Sequence, residues 1–405
     1  MIQNRKINKS VDILFFVFLG LTAMNFYAKF FYLAILSTLV LFVLQPKIQV
    51  SSFTLIYFLL SVLMSLYNLD EGFLSVVRCF VYLLFYIVGY NIVRVESLFT
   101  GSRKTDLCYK RGFWVLATIS IGSFLHFTIN FIYNYGKIAG RNTVDIWSKS
   151  TMAATGQAAI ACLMIGFAVA VIFTAKKSIS KIIGIFAILI MLAYNLILAC
   201  RTMIVILMAV SFVGLMYVMR SSKSMTKRLK TVMIIMIAVF IIILLISVNA
   251  FGIYDLLKGS NFFNRFSGSL SSDSFDSSRM NAKLAYLKNG YKYLLGGLNL
   301  RNEYGYAHDL LLDGFDEYGI LCAVILTIIL ASGIMEMYRF LKYSSASLMI
   351  KASFLCVYIS IHLTFCVEPI MEGMPWLLVC YCLINGCVKS MNRCELLIEK
   401  GTESN

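Results

Sequence analysis

Uncharged apolar runs separated by short clusters of charge recur down most of the chain. A helix needs roughly 20 apolar residues to cross the hydrocarbon core of a bilayer. On that measure the pattern predicts twelve transmembrane helices, near residues 11–27, 30–45, 51–69, 73–93, 113–133, 153–175, 182–199, 202–219, 231–250, 310–336, 349–367 and 373–389. The first two are short and closely joined at Lys29. Residues 182–219 are almost continuously apolar, and as a single helix they would reach about 57 Å, about twice the hydrocarbon thickness. The chain must fold back at or near Arg201, which leaves Cys200-Arg201-Thr202 in a tight turn.

One connection breaks the pattern. Residues 251–309 form the only long loop and carry Gly, Ser, Tyr and charges of both signs. Long loops that are not linkers usually have a job. From Gly259 to Ser278 the loop is serine-rich and irregular. Beyond that, Met280, Leu284, Leu287, Tyr291 and Leu294 recur at helical spacing, with Lys283, Lys288 and Lys292 on another face, as in an interfacial amphipathic helix. Gly290 weakens that helix and Gly296-Gly297 ends it. The expected fold is all-α: a polytopic membrane protein with about twelve transmembrane helices in a single integral membrane domain over 1–405, with one large extracytoplasmic loop, 251–309, that contains an amphipathic helix. No internal repeat, proline-rich linker or second domain is evident.

Composition narrows the class further. Apolar residues make up 60% of the chain and charged residues only 14%, which excludes a disordered chain and a conventional soluble enzyme. The net charge of +16 falls in blocks between apolar runs, so nucleic acid is not an expected partner. With the N-terminus in the cytoplasm, Arg94, Arg103, Lys104, Lys110 and Arg111 share one inner loop. Lys176, Lys177 and Lys181 then fall in the next, and Arg220, Lys223, Lys227, Arg228 and Lys230 in a third. These are positive-inside clusters, and they put both termini in the cytoplasm and the acidic pair Asp70 and Glu71 outside. Arg5, Lys6 and Lys9 before the apolar stretch from Val11 resemble a signal peptide, but no small-residue cleavage site follows, and a retained first span is expected. The Asn8-Lys9-Ser10 sequon then lies on the cytoplasmic side and is read as chance. Most of the 11 cysteines sit in apolar runs without CxxC or Cys/His spacing, so buried thiols are expected, with no metal and no disulfide framework.

Charges that the membrane tolerates poorly are functional candidates. Arg201 is either an arginine snorkelling at the interface or an anion-binding group at the mouth of a cavity. Arg279 opens the amphipathic segment, and Arg141 lies in the other outer loop of any size, Lys137 to Ser150. Each is either a solvated loop charge or, given their shared side, part of a guanidinium set suited to diphosphate oxygens. Arg78, near the outer end of the fourth span, adds to that set or snorkels. Among the histidines, His126 and His362 lie within apolar spans and are expected to be hydrogen-bonded packing residues. His308 comes where the outer loop meets a span, a position that suits either a surface or capping histidine or a base for a sugar hydroxyl, oriented by Asp309 or another carboxylate. Glu368 and Glu372, bracketing Pro369, read as an ordinary acidic outer loop or as the coupling acids of a transporter.

Three stretches carry a family resemblance. Ala307-His308-Asp309-Leu310-Leu311-Leu312 followed by Glu317-Tyr318-Gly319 resembles the segment of the O-antigen ligase and O-antigen polymerase superfamily that runs His, Asn or Ser, two variable residues, Leu, then Glu-x-Gly at the start of a span. Leu198-Ala199-Cys200-Arg201-Thr202 is similar to the family's Ser-Arg-Thr turn between adjacent spans. Ser278-Arg279 followed by Tyr293-Leu294-Leu295-Gly296-Gly297 is similar to its Arg...Pro-Leu-x-Gly-x-Gly segment. The resemblance covers roughly residues 140–335; Asp309 replaces the usual Asn or Ser, Cys200 the Ser, and the Pro is missing. These departures suit a polymerase somewhat better than a ligase.

The resemblance implies glycosyl transfer outside a bacterial cytoplasmic membrane, from an undecaprenyl diphosphate-linked glycan to a sugar hydroxyl. It implies His308 as the base, Arg201 and Arg279 as the diphosphate-binding groups, and Arg141 as a further candidate. Glu317 would hold the loop or orient His308. No cofactor, nucleotide sugar or catalytic metal is implied. Expected partners are lipid-linked oligosaccharides and membrane lipids, with a chain-length regulator and a flippase alongside. A repeat-unit polymerase, a ligase and a lipid-glycan flippase or transporter are the three functions weighed, the first being favoured.

Overall fold

A computed structural model describes residues 2–45, 47–94, 102–136, 142–221 and 278–402, with positions 248, 249, 255, 258–260 and 263. About 81% of the described residues are helical. The described helices are α1 (Ile2–Ala23), α2 (Phe30–Leu44), α3 (Thr54–Tyr67), α4 (Phe73–Cys79), α5 (Val81–Ile92), α6 (Ser102–Asn134), α7 (Ala154–Thr174), α8 (Ser178–Leu198) and α9 (Arg201–Ser221). After the loop come α10 (Ser278–Asn289), α11 (Asn299–Tyr304), α12 (Leu310–Tyr343), α13 (Leu348–Phe365), α14 (Ile370–Gly373) and α15 (Pro375–Thr402).

Seven stretches among the described residues are long and apolar enough to cross a membrane: Phe73–Ile92, Thr105–Asn134, Ala154–Thr174, Ser178–Leu198, Arg201–Ser221, Leu310–Tyr343 and Leu348–Phe365. Three apolar helices are shorter, Val11–Ala23, Phe30–Leu44 and Thr54–Tyr67. The span expected at 231–250 and the serine-rich part of the loop lie largely outside the described residues. The stretch at 182–219 divides as helix length demands: α8 ends at Leu198, Ala199 takes a left-handed conformation at φ 52°, and α9 begins at Arg201.

The bundle is organised around α7. Small residues along it let neighbours approach closely, and 72% of its apolar window is buried, against 22% for α9, so α7 is central and α9 peripheral. α7 packs against α6, α8, α9 and α13, while α15 lies along α5. The α5–α15 contact depends on paired glycines. A Cβ on Gly89 would overlap the Leu383 carbonyl, and one on Gly386 would overlap the Tyr86 carbonyl. Charge inside the bundle is matched: Glu336 on α12 meets Lys389 of α15 at 2.6 Å and accepts from Asn392 at 2.7 Å.

A small β-hairpin, β1 (Asn142–Val144) with β2 (Thr151–Ala153), stands where the sequence placed the outer loop Lys137 to Ser150 and the start of the next span. Its turn is tied to α6 by a buried pair, His126 Nε2 and Asp145 Oδ1 at 2.6 Å, with Asn130 donating to the same oxygen at 3.1 Å. The other oxygen accepts from the Ser148 backbone and hydroxyl at 2.8 and 2.9 Å. Burial alone would raise the Asp145 carboxyl, but its bonds to His126, Ser148 and Asn130 hold it well below the usual carboxylate range. His126 is thus a hydrogen-bonded structural histidine, as is His362, whose Nδ1 lies 2.8 Å from the Tyr358 carbonyl.

Candidate functional site

The motifs flanking His308 meet at a break in α12. Gly319 has φ 78° and ψ −179°, which interrupts the helix and exposes backbone groups on both sides of it. The loop fills the gap: Ile320 N donates to Leu294 O at 2.9 Å, Leu298 N to Asp316 O at 2.9 Å and Gly297 N to Glu317 O at 3.4 Å. The fit leaves no room for side chains. A Cβ on Gly319 would lie 2.8 Å from Leu294 O, and one on Gly296 would lie 2.6 Å from Gly319 N. Tyr67 of α3 fastens the same loop by donating to Leu295 O at 2.7 Å. The Leu-Leu-Gly-Gly and Glu-x-Gly segments, some twenty residues apart, are therefore two halves of one backbone junction.

Asp316 extends that junction into α11. Its carboxylate accepts from Leu300 N at 2.8 Å and Arg301 N at 3.2 Å, capping the helix start from a distance. Tyr286 of α10 also reaches it, at 3.4 Å, and donates to Gly305 O at 3.0 Å. Burial and the charge of Asp316 push the Tyr286 phenol up. Arg301 then joins three elements. Its guanidinium faces Asp316 at 3.9 Å, Glu317 at 3.7 Å and Glu372 of α14 in an ion pair, and stacks over Tyr306 at 4.8 Å. Tyr306 donates to Glu372 at 3.0 Å. Glu317 accordingly holds the loop; neither a hydrogen bond nor an ion pair joins it to His308 among the described residues.

His308 sits between this junction and α10. Its backbone is left-handed at φ 54°, between Ala307, which is buried, and Asp309, which caps α12 by accepting from Leu311 N and Leu312 N at 3.1 and 3.4 Å. The imidazole is half-buried, and its Nδ1 has no hydrogen-bond partner among the described residues. Burial and the nearby positive charges of Arg279 and Lys283 pull it down to about 4, so the ring is neutral at pH 7. Among the described residues no hydrogen bond joins Asp309 to the ring; its carboxylate pairs with Lys283 at 3.2 Å. Arg279 donates to Val367 O at 3.0 Å and lies 3.9 Å from Glu368.

The amphipathic segment differs from its expected geometry in one respect. Met280, Leu284 and Leu287 face outward and are exposed, but Lys283 turns inward and donates to Asp309 and to Cys366 O, the latter at 2.6 Å. Arg279 and His308 are thus brought together and Lys283 joins them. Arg201, exposed at the first position of α9, has no hydrogen bond or ion pair to this cluster among the described residues. Arg141 lies outside the described residues.

Arg301, Asp316, Lys283, Glu368 and Glu372 were not chosen from sequence as parts of this site. The bracketing of Pro369 by Glu368 and Glu372 was the one available signal, and both acids prove to face the arginines rather than form a free acidic loop. No group of three or more His, Cys, Asp or Glu among the described residues could hold a metal ion. No family model matches the chain, and no curated protein matches it.

Proposed function

We propose that the protein is a membrane glycosyltransferase that polymerises undecaprenyl diphosphate-linked oligosaccharide repeat units into capsular, exopolysaccharide or O-antigen chains. In this reading twelve spans cross a bacterial cytoplasmic membrane, both termini are cytoplasmic, and the loop 251–309 lies on the outer face. The acceptor hydroxyl attacks the anomeric carbon, its proton passes to His308, and the bond from that carbon to the diphosphate oxygen breaks with both electrons leaving on the diphosphate. Such a step needs a neutral base beside positive charge.

The observation that carries the reading is the half-buried, unprotonated His308 flanked by Arg279 and Lys283. A ring held at about 4 is a weak base by itself. An incoming diphosphate would offset the two cations and raise its basicity when the substrate is present. Binding and activation of the base are then coupled through the same side chains. Arg201 and Arg141 remain candidates for the same anion from separate loops. Transport is the weaker reading, because Glu368 and Glu372, its best sequence support, are engaged by arginines.

The test is the glycan size ladder of a strain lacking the protein, complemented with variants. Polymerase loss leaves single repeat units on the surface, whereas loss of a ligase leaves long chains on the lipid carrier. His308→Ala, Arg279→Ala and Arg201→Ala are each expected to abolish long chains at normal membrane abundance, and His308→Ala to slow transfer by about 100-fold or more. Full chain growth in the histidine variant would remove the base from the mechanism.

A further inference from the structure

Two thiols meet near the end of α12 far from His308. Cys108 on α6 and Cys394 on α15, 286 residues apart in sequence, hold their sulfurs 3.3 Å from each other in a thiol hydrogen bond. The next residue on each helix repeats the contact: the Tyr109 hydroxyl donates to Glu395, which also accepts from Ser345 N, just past α12, at 3.0 Å. Just before the pair on α15, Asn392 donates to Glu336 of α12 at 2.7 Å. Three helices are thereby held in register around the two sulfurs. A disulfide is about 2.05 Å long, so the sulfurs need to close by about 1.3 Å, which small side-chain rotations can supply.

Position makes this pair reactive where other thiols are sheltered. Cys162, Cys200, Cys322 and Cys387 are buried within the bundle. Cys108 and Cys394 instead stand beyond the apolar spans expected at 113–133 and 373–389. Asp106 and Lys110, flanking Cys108 on α6, form an exposed ion pair at 2.6 Å, a pairing that belongs in water. Cys394 is half-buried and Cys108 fully buried, so a small aqueous oxidant meets Cys394 first, with Cys108 directly behind it. An oxidisable thiol with a resolving thiol beside it is the arrangement of a redox-sensing pair.

We propose that Cys108 and Cys394 form a reversible disulfide in response to hydroperoxides. The Cys394 thiolate attacks one oxygen of the hydroperoxide, the O–O bond breaks, and the alkoxide or hydroxide that leaves takes up a proton. Cys394 is then a sulfenic acid. The Cys108 sulfur attacks the Cys394 sulfur, its proton passes to the departing hydroxide, and water leaves as the S–S bond forms. Two thiols are oxidised and one hydroperoxide is reduced. A dithiol reductant reverses the bond by exchange. In the orientation proposed above this end faces the cytoplasm, where reductants keep the pair in its thiol form until peroxide rises. The bond staples α6 to α15, and it depends on this pair alone, not on the reading of His308.

The test uses the full chain in phosphatidylcholine nanodiscs, reduced, freed of reductant and treated with hydrogen peroxide. Remaining thiols are blocked with N-ethylmaleimide as the protein is denatured, and its peptides are identified by mass spectrometry without reduction. Peptides joined through Cys108 and Cys394 are expected, with neither residue alkylated, and dithiothreitol added before blocking should restore both thiols. In Cys108→Ser the link is lost and the sulfenic acid on Cys394 should be trapped by dimedone; no adduct there would remove Cys394 as the attacking thiol. In the unsubstituted protein, full alkylation of both residues at a peroxide dose that oxidises the exposed Cys366 would overturn the proposal. Sulfinic acid on Cys394 beside an alkylated Cys108 would also overturn it, and a link that dithiothreitol cannot open would make the bond structural and do the same.

Discussion

At the scale of single residues, His308 gives the sharpest pH dependence. Its folded value of about 4 lies below the roughly 6.5 of a free imidazole. Between those values the unfolded chain binds a proton that the folded chain does not, so this group favours folding above the window and its contribution is lost as pH falls toward 4. On the proposed reading catalysis would have the same sign, because a base works only when unprotonated. The acid limb of kcat/KM, which reports the free enzyme, is expected near pH 4, and that of kcat, which reports the complex, at higher pH because bound diphosphate offsets Arg279 and Lys283. Lys283→Met removes one of the two cations and should move the kcat/KM limb upward. A limb that stays put or moves down in that variant would show that His308 is not the titrating base.

At the scale of elements, the central device is the junction between the loop and the break in α12. Gly319→Ala forces a left-handed backbone on a residue with a Cβ and drives that Cβ against Leu294 O. The conformational part alone costs about 1–3 kcal/mol. Loss of transfer activity, with a lowered thermal midpoint in detergent, is the expected result. An active and equally stable Gly319→Ala protein would show that the loop can detach from α12 without consequence.

What sequence could foresee here follows from the range of each interaction. The fold-back before Arg201 was legible because it depends only on local apolar length, and α8 and α9 divide at Ala199 and Cys200. The meeting of Leu294 with Ile320, and of Asp316 with the start of α11, was not, because nothing local in either segment identifies its partner. The same holds for Lys283: its helical spacing placed it with Lys288 and Lys292, but the pull of Asp309 and the Cys366 carbonyl turns it inward. The hairpin at 142–153 was missed because its stability comes from Asp145 reaching His126 on another element, not from alternation along its short strands.

At the scale of the whole molecule, apolar side chains are distributed as bilayer contact requires. Ile182, Phe186 and Leu189 on α8, Val205, Met208 and Phe212 on α9, and Leu321, Val324 and Ile328 on α12 are all exposed, forming surface that water would not support. The outward face of α10 belongs to the same surface in character, with Leu284 45% and Leu287 70% exposed, while its inward face holds Tyr286 against the junction and Lys283 against Asp309. A helix that presents apolar residues outward and Lys283 inward gains by lying in the interfacial layer. That position would also hold Arg279 and His308 at the level of lipid headgroups. A tryptophan replacing Leu287 should therefore be quenched by lipids brominated near the headgroup more strongly than by lipids brominated near the chain ends. Substituting Leu284 and Met280 with serine in the same protein should weaken that quenching and reduce transfer together, while leaving the fold of the bundle intact by circular dichroism. Fluorescence insensitive to brominated lipid, but quenched freely by aqueous iodide, would place α10 in water and remove the membrane surface from the architecture of the site.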